Sequence, residues 1–332
     1  MTRRPRPIVL LLLATVVGVP RAVAQRRQVD VRSGFTKEIA PESSPAYTFD
    51  VLDYPGTFYT NGFGINSGAA TAEIELVGGI GDQSPGPLGF NGGFQVKYAA
   101  TKSTTTETYQ AVNYAGAAQQ AAYGVNDSGE IVGTYSDSLA VLHGYLQSGG
   151  SFIKLDVPFS GATGTNAVGI NNSGEIVGYW LNATTGYAFE LISGTYTSFN
   201  YPAATFTIAT AVNNHGDIVG YYSDTSGVYH GFLLSRGIYT SIDEPGATMT
   251  EANGINDAGD IVGIYCSTTE CADNFLTFQG FLLSAGTFTE IAIPNAKATG
   301  PVNINNNGVI VGVFHDSVGR QAFLATPKRQ PN

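Results

Sequence analysis

Charge is what this chain has least of: Asp, Glu, Lys and Arg together make 13% of its 332 residues, against 42 glycines. Tryptophan occurs once, methionine and cysteine twice each, and histidine four times. Two thiols are not a tetrahedral site, so a structural zinc centre lacks ligands. No stretch beyond the N-terminal segment shows a helical period, which leaves short strands as the repeating local structure. The one long apolar run, residues 8–19, is too short to span a bilayer, which needs about 20 residues.

That run sits behind Arg3, Arg4 and Arg6 and ahead of Ala22-Val23-Ala24, a small-residue cleavage site. Residues 1–24 therefore read as an export signal, and the protein as secreted or periplasmic. Without them the chain keeps 12 basic against 26 acidic residues, a net charge of about −14. Such a balance excludes nucleic acid and anionic membrane surfaces as partners, because both reward clustered Lys and Arg. Stable membrane insertion is not expected either. Cys266 and Cys271 lie close together in one loop, and in an exported protein they are expected to form a local disulfide. Residues 25–46 read as a disordered linker, 47–326 as one repeat domain, and 327–332 as a tail.

One phrase recurs through the repeat domain. Ile170-Asn171-Asn172-Ser173-Gly174-Glu175-Ile176-Val177-Gly178 returns at 125–133, 212–220, 255–263 and 304–312, with a worn copy from Ile65-Asn66. The leading asparagines stand at 66, 126, 171, 213, 256 and 305. A spacing of 42 to 60 residues between copies, each parsing into four short strands, is what propeller blades require. Asn-x-x-Gly supplies a side-chain acceptor at the turn entry and a glycine where positive φ is needed, as in short hairpin loops. The first copy departs from this spacing and is expected to carry an insertion. Small residues four and two places before the leading asparagines, such as Ala167 and Gly169, are expected on one strand face, letting backbones crowd near an axis, and only the last copy breaks the pattern, with Pro301 and Asn303. The final unit has only three strands, and residues 47–56 match the missing fourth. The sequence thus predicts an all-β, six-bladed β-propeller whose last blade is completed by an N-terminal strand, which removes both exposed edges.

The third strands open on His143-Gly-Tyr145, Tyr187-Ala-Phe189, His230-Gly-Phe232, Gln279-Gly-Phe281 and Gln321-Ala-Phe323. With the Ile-Asn-x-x-Gly-x-Ile-Val-Gly phrase, these triplets make residues 47–326 resemble the HAF repeats of bacterial extracellular proteins. No copy spells His-Ala-Phe. The resemblance implies an exported repeat protein and brings no settled activity and no catalytic residues.

Three groups of residues are candidates for function. Asp53, Asn113, Asp156, Asn200 and Asp243 hold equivalent places after the fourth strands. Pointed at the axis, they would form an oxygen ring able to take Ca²⁺, or, as paired acids, serve polysaccharide cleavage. Four residues of this position stand two places before a proline, which is also ordinary turn chemistry. Tyr135, Trp180, Tyr222 and Tyr265 close the second strands, either packing between blades or offering platforms for sugar faces. The loop after Tyr265 runs 15 positions to Gly280, against 8 or 9 in blades two, three, four and six. It carries Glu270, Asp273 and Asn274 beside the expected disulfide, on the kind of loop that builds binding sites. Histidines 143 and 230 share a position that also accepts Tyr or Gln, which suits a hydrogen-bonding role rather than catalysis. The composite expectation is a non-catalytic module binding extracellular carbohydrate or a surface protein partner, with no cofactor beyond Ca²⁺. A carboxylate-based hydrolase and a structural envelope protein are the alternatives.

Overall fold

Each Asn-x-x-Gly segment folds into the same hairpin turn. Asn171 Oδ1 accepts the backbone N–H groups of Ser173 and Glu175, both at 3.0 Å. Its carbonyl accepts the N–H of Gly174 at 3.1 Å. Gly174 has a φ of 77°, a conformation that only glycine adopts at little cost.

In a computed structural model that describes residues 47–57, 59–68, 73–81, 90–100, 105–268, 271, 277–317 and 319–328, these hairpins extend into six antiparallel four-stranded sheets. The expected export signal and linker lie outside the described residues. Blade four is typical, with strands Phe206–Val212, Ile218–Ser223, Tyr229–Ser235 and Ile238–Ile242 in sheet order. The six first strands pack against one another around the axis, so they are innermost and the fourth strands outermost. Blade six joins Ala298–Ile304, Ile310–His315 and Arg320–Pro327 to the N-terminal strand Tyr47–Leu52, with Tyr47 opposite Pro327. Pairing thus reaches the first residue of the expected tail. The extra length of blade one goes partly into its strands: Glu73–Gly81 and Gly92–Ala100 have nine residues each. Among the described residues no helix is long and apolar enough to cross a membrane.

The small residues behave differently from simple alternation. Every inner strand is bulged between the two, at Gly62/Gly64, Ala122/Gly124, Ala167/Gly169, Ala209/Ala211, Ala252/Gly254 and Pro301/Asn303. An extra residue flips the side-chain sense, so the pair serves opposite neighbours rather than one face. A Cβ on Gly144 of blade two would meet the Cβ of Ala167 at 3.2 Å, whereas a Cβ on Gly169 would meet Ala211 of blade four at 2.9 Å. The bulge also explains the glycine of Ile-Val-Gly. It turns the Asn166 carbonyl to within 2.0 Å of where a Cβ on Gly178 would stand. The third-strand aromatic, Phe189 in this blade and Tyr145, Phe232, Phe281 and Phe323 in others, fills the space against that glycine and is fully buried. Each of these rings is thus set over a glycine and packed between the second strand of its own blade and that of the preceding one.

Candidate functional site

At one end of the axis the turn asparagines form a closed ring. Each Nδ2 donates to the backbone carbonyl of the next blade's asparagine: Asn66 to Asn126 at 3.2 Å, Asn126 to Asn171 at 3.2 Å, Asn171 to Asn213 at 3.0 Å. Asn213 donates to Asn256 at 3.2 Å, Asn256 to Asn305 at 3.4 Å, and Asn305 back to Asn66 at 2.9 Å. A second tier lies outside it. The side-chain oxygens of Asp127, Asn172, Asn214, Asp257, Asn306 and Ser67 each accept the N–H of the matching residue one blade earlier, at 2.8 to 3.1 Å. Burial opposes ionisation of Asp257, but hydrogen bonds from Asn214 and Asn306 outweigh it and hold the carboxyl below its usual range. Reading the turns one at a time missed this ring. The signal was available: the residue after each leading asparagine always carries a short side chain with an oxygen.

The residues that could have ringed the axis fall in turns instead. Asp53, Asn113, Asp156, Asn200 and Asp243 follow the outermost strands of blades six, one, two, three and four. They stand on the turns that lead from an outermost strand to the inner strand of the next blade. Of the two readings open for these positions, the turn at a strand end is the one their places fit, and the ring at the axis is not. Asp53 accepts from Thr60 Oγ1 at 3.4 Å and Asn113 Oδ1 from Gln120 at 3.0 Å, both partners being on the next blade's inner strand. Burial raises the carboxyl of Asp53. Asn200 Oδ1 is buried with no partner among the described residues. No three His, Cys, Asp or Glu side chains among the described residues group as a metal site.

Asp156 and Asp243 belong instead to two equivalent surface clusters. In blade two, His143 Nδ1 lies 2.9 Å from Asp156 Oδ1 and Nε2 lies 3.6 Å from Asp137 Oδ2, while Lys154 Nζ reaches Asp156 Oδ2 at 2.7 Å. In blade four, His230 Nδ1 lies 2.7 Å from Asp243 Oδ1 and Nε2 lies 3.7 Å from Asp224 Oδ2, with Ser241 donating to Asp243 Oδ2 at 2.7 Å. The side chains of Asp156 and Asp243 are 37% and 50% exposed, enough to present carboxylate oxygens to solvent. Backbone N–H groups hold Asp137 (from Val141) and Asp224 (from Val228) below the usual carboxylate range, with the imidazoles adding to the effect. Blade three keeps the layout with neutral groups: Asn182 Nδ2 approaches Tyr187 Oη at 3.4 Å.

Beneath these clusters lie the second-strand aromatics. Tyr135 is stacked on Tyr114 of blade one at 3.9 Å, and Tyr222 on Tyr201 of blade three at 3.7 Å. The other sides carry the imidazoles, His143 at 5.0 Å and His230 at 5.2 Å between ring centres. Trp180 is covered by Phe159 of blade two and stacked on Tyr187, and its indole N–H donates to Ser198 Oγ at 2.9 Å. All three are over nine-tenths buried, and Tyr265 is half-buried. These rings seal the seams between blades, which is the packing reading of the two left open for them. Preceding blades supply the covering rings from the loops after their fourth strands, at places that a single repeat does not reveal.

Cys266 and Cys271 form a disulfide, buried with Met249, Ile264, Phe278 and Ala298 rather than exposed on the loop. Glu270, Asp273 and Asn274 lie outside the described residues.

No protein-family model matches this chain, so the likeness of its triplets to HAF repeats does not extend to membership, and no curated protein matches it either. Among solved structures, AofleA from Arthrobotrys oligospora is similar with a TM-score of 0.51 at 10% identity, over 90% of this chain and 95% of that one. A six-bladed propeller lectin, the Aleuria aurantia lectin, gives 0.47 at 14% identity, over 83% and 99% of the two chains. The propeller domain of the Trilobed protease from Pyrococcus furiosus gives 0.46 at 11% identity, over 83% and 97%. At such identities the likeness is one of fold.

Proposed function

We propose that this protein is an exported carbohydrate-binding module that engages glycans through the blade-two and blade-four clusters. One observation carries the reading: the same imidazole, flanked by two carboxylates and seated on a stacked tyrosine pair, is built twice on one scaffold. Partly exposed carboxylate oxygens, oriented by His143 and His230, are acceptors for adjacent sugar hydroxyls, and charge-assisted bonds of this kind are the stronger ones. Two copies give a branched or polymeric glycan two simultaneous contacts, which raises avidity without any new interaction. The low-charge, acidic composition suits a neutral ligand better than a polyanion.

A hydrolase reading is weaker. Asp53, Asp156 and Asp243 stand on different blades, and the carboxylates flanking each imidazole are spanned by the ring itself. That leaves no gap for the glycosidic oxygen and water that an acid pair must embrace.

The test is to pass the protein over size-exclusion chromatography with a panel of neutral polysaccharides and then to titrate any retained glycan by calorimetry. Intact glycan co-eluting with the protein, and an affinity ~10 to 100-fold lower in Asp156→Asn/Asp243→Asn, is the expected result. Undiminished affinity in that variant removes these clusters from the reading. Shortened glycan would replace binding with catalysis, and no retention at all would favour a protein partner.

A further inference from the structure

Each inner strand carries one extra residue at its bulge, and these six are Phe63, Tyr123, Val168, Thr210, Asn253 and Val302. All six line one cavity on the axis, which Tyr179, Ile208, Tyr221 and Asn303 complete. The bulge is therefore the device that turns a side chain inward from every blade. Val168, Thr210 and Val302 stay partly exposed at the centre of the molecule, where only the cavity can expose them. The first strands pack in ring order, so blade one faces blade four across the axis and blade two faces blade five. Phe63 and Tyr123 thus stand opposite Thr210 and Asn253. One wall is aromatic and the other polar, with Val168 and Val302 between them.

Both walls are left with unused bonding capacity. Asn253 Nδ2 donates to Pro301 O of the next blade at 3.1 Å, which fixes the amide. Its Oδ1 is buried and without a partner among the described residues, and so is Tyr123 Oη on the opposite wall. Burial raises the phenols of Tyr123, Tyr179 and Tyr221, so all three remain O–H donors, and Tyr179 lies within electrostatic reach of the other two. Native proteins leave few such groups unsatisfied. An acceptor and a donor across an apolar space are together met by a hydroxyl, which gives and takes a hydrogen bond. Apolar cavities with a few convergent polar groups are the usual small-molecule sites. The space is about 480 Å³ with open solvent included, and its enclosed part takes only a few non-hydrogen atoms. None of the described residues lining it is charged, which favours a neutral ligand over an ion.

We propose that the axial cavity binds a small neutral alcohol, whose hydroxyl bridges Asn253 Oδ1 and Tyr123 Oη and whose alkyl part packs on Phe63, Val168 and Val302. Its affinity falls in the millimolar range, because few atoms bring little binding energy. The site is separate from the surface clusters and does not depend on glycan binding.

The probes are isobutanol and xenon. Xenon-pressurised crystals are expected to show the gas among Phe63, Val168 and Val302, since it marks open apolar space without hydrogen bonds. Ligand-observed NMR is expected to show saturable isobutanol binding, and mass action then raises the melting temperature. Tyr123→Phe is isosteric and removes only an unpartnered hydroxyl, so it folds, keeps xenon and binds isobutanol ~3- to 10-fold more weakly. Asn253→Leu has the same effect on isobutanol, and Val168→Phe, which fills the cavity, loses both probes. No xenon in the cavity and no saturable isobutanol binding, with ordered water alone there, overturns the proposal. Unchanged isobutanol affinity in both Tyr123→Phe and Asn253→Leu overturns it too, by placing the alcohol elsewhere.

Discussion

Asn305 Nδ2 donates to the backbone carbonyl of Asn66 at 2.9 Å, joining positions 239 residues apart. This bond closes a ring in which every blade is tied to the next by the same side chain, so the turn signature is also the circular clasp of the fold. Together with the pairing of Tyr47–Leu52 with Arg320–Pro327, it fastens the first and last blades at both the axis and the circumference.

Asn171→Ala tests the clasp. The side chain donates to Asn213 O and Glu175 Oε2 and accepts two backbone N–H groups. Losing it strands buried partners, and stability is expected to fall by about 2 to 3 kcal/mol. Asn305→Ala should cost as much, since its place in the ring is equivalent. Urea denaturation midpoints check both.

Gly220→Ala probes the bulge. Its Cβ would stand 1.9 Å from the Ile208 carbonyl, whereas one on Gly246 would meet nothing within 4 Å despite a φ of 92°. Gly220→Ala is expected to cost about 3 kcal/mol or more, and Gly246→Ala about 1 to 2 kcal/mol. Thermal melts of the two variants separate packing from backbone strain.

Glu251 makes stability pH-dependent. Its carboxyl rises from 4.5 in the unfolded chain to about 8 in the fold, so between those values the folded protein binds more protons. Stability therefore falls as pH rises through that window, and it is recovered on acidification. Glu175, raised to about 7 by burial and by its hydrogen bond with Glu190, adds the same sign over a narrower range. Denaturation at several pH values should show a fall on the order of a few kcal/mol, most of it absent in Glu251→Gln.

Trp180→Ala separates packing from recognition. With Phe159 and Tyr187 left against a void, unfolding is expected to become easier by about 3 to 5 kcal/mol. Glycan affinity at the blade-two and blade-four clusters should stay unchanged. Calorimetric unfolding and glycan titration of the same sample measure the two effects.

Much of this architecture was legible along the chain. The step between asparagines gave the blade count, the turn chemistry of Asn-x-x-Gly gave the hairpins, and the orphan strand at 47–56 gave the closure. Each is a local property, because a turn or a β-strand is specified by residues a few positions apart. The sites were less legible. Whether Asp156 stands at the axis or in a turn stayed open, because equivalent positions imply symmetry without giving a radius, and the sheet order puts it after an outermost strand. Whether Trp180 packs or offers its face stayed open, because its cover, Phe159, comes from another repeat.

By itself, then, the sequence determined the repeating hairpins, their number and the circular join, since repetition of one local pattern leaves little else to build. The tertiary structure alone decided which edge of each sheet meets the axis, which carboxylates share a cluster with an imidazole, and which aromatic rings cover one another across the seams. Those relations depend on packing between blades, where contacts join residues 40 or more positions apart. No periodicity within a single strand encodes them.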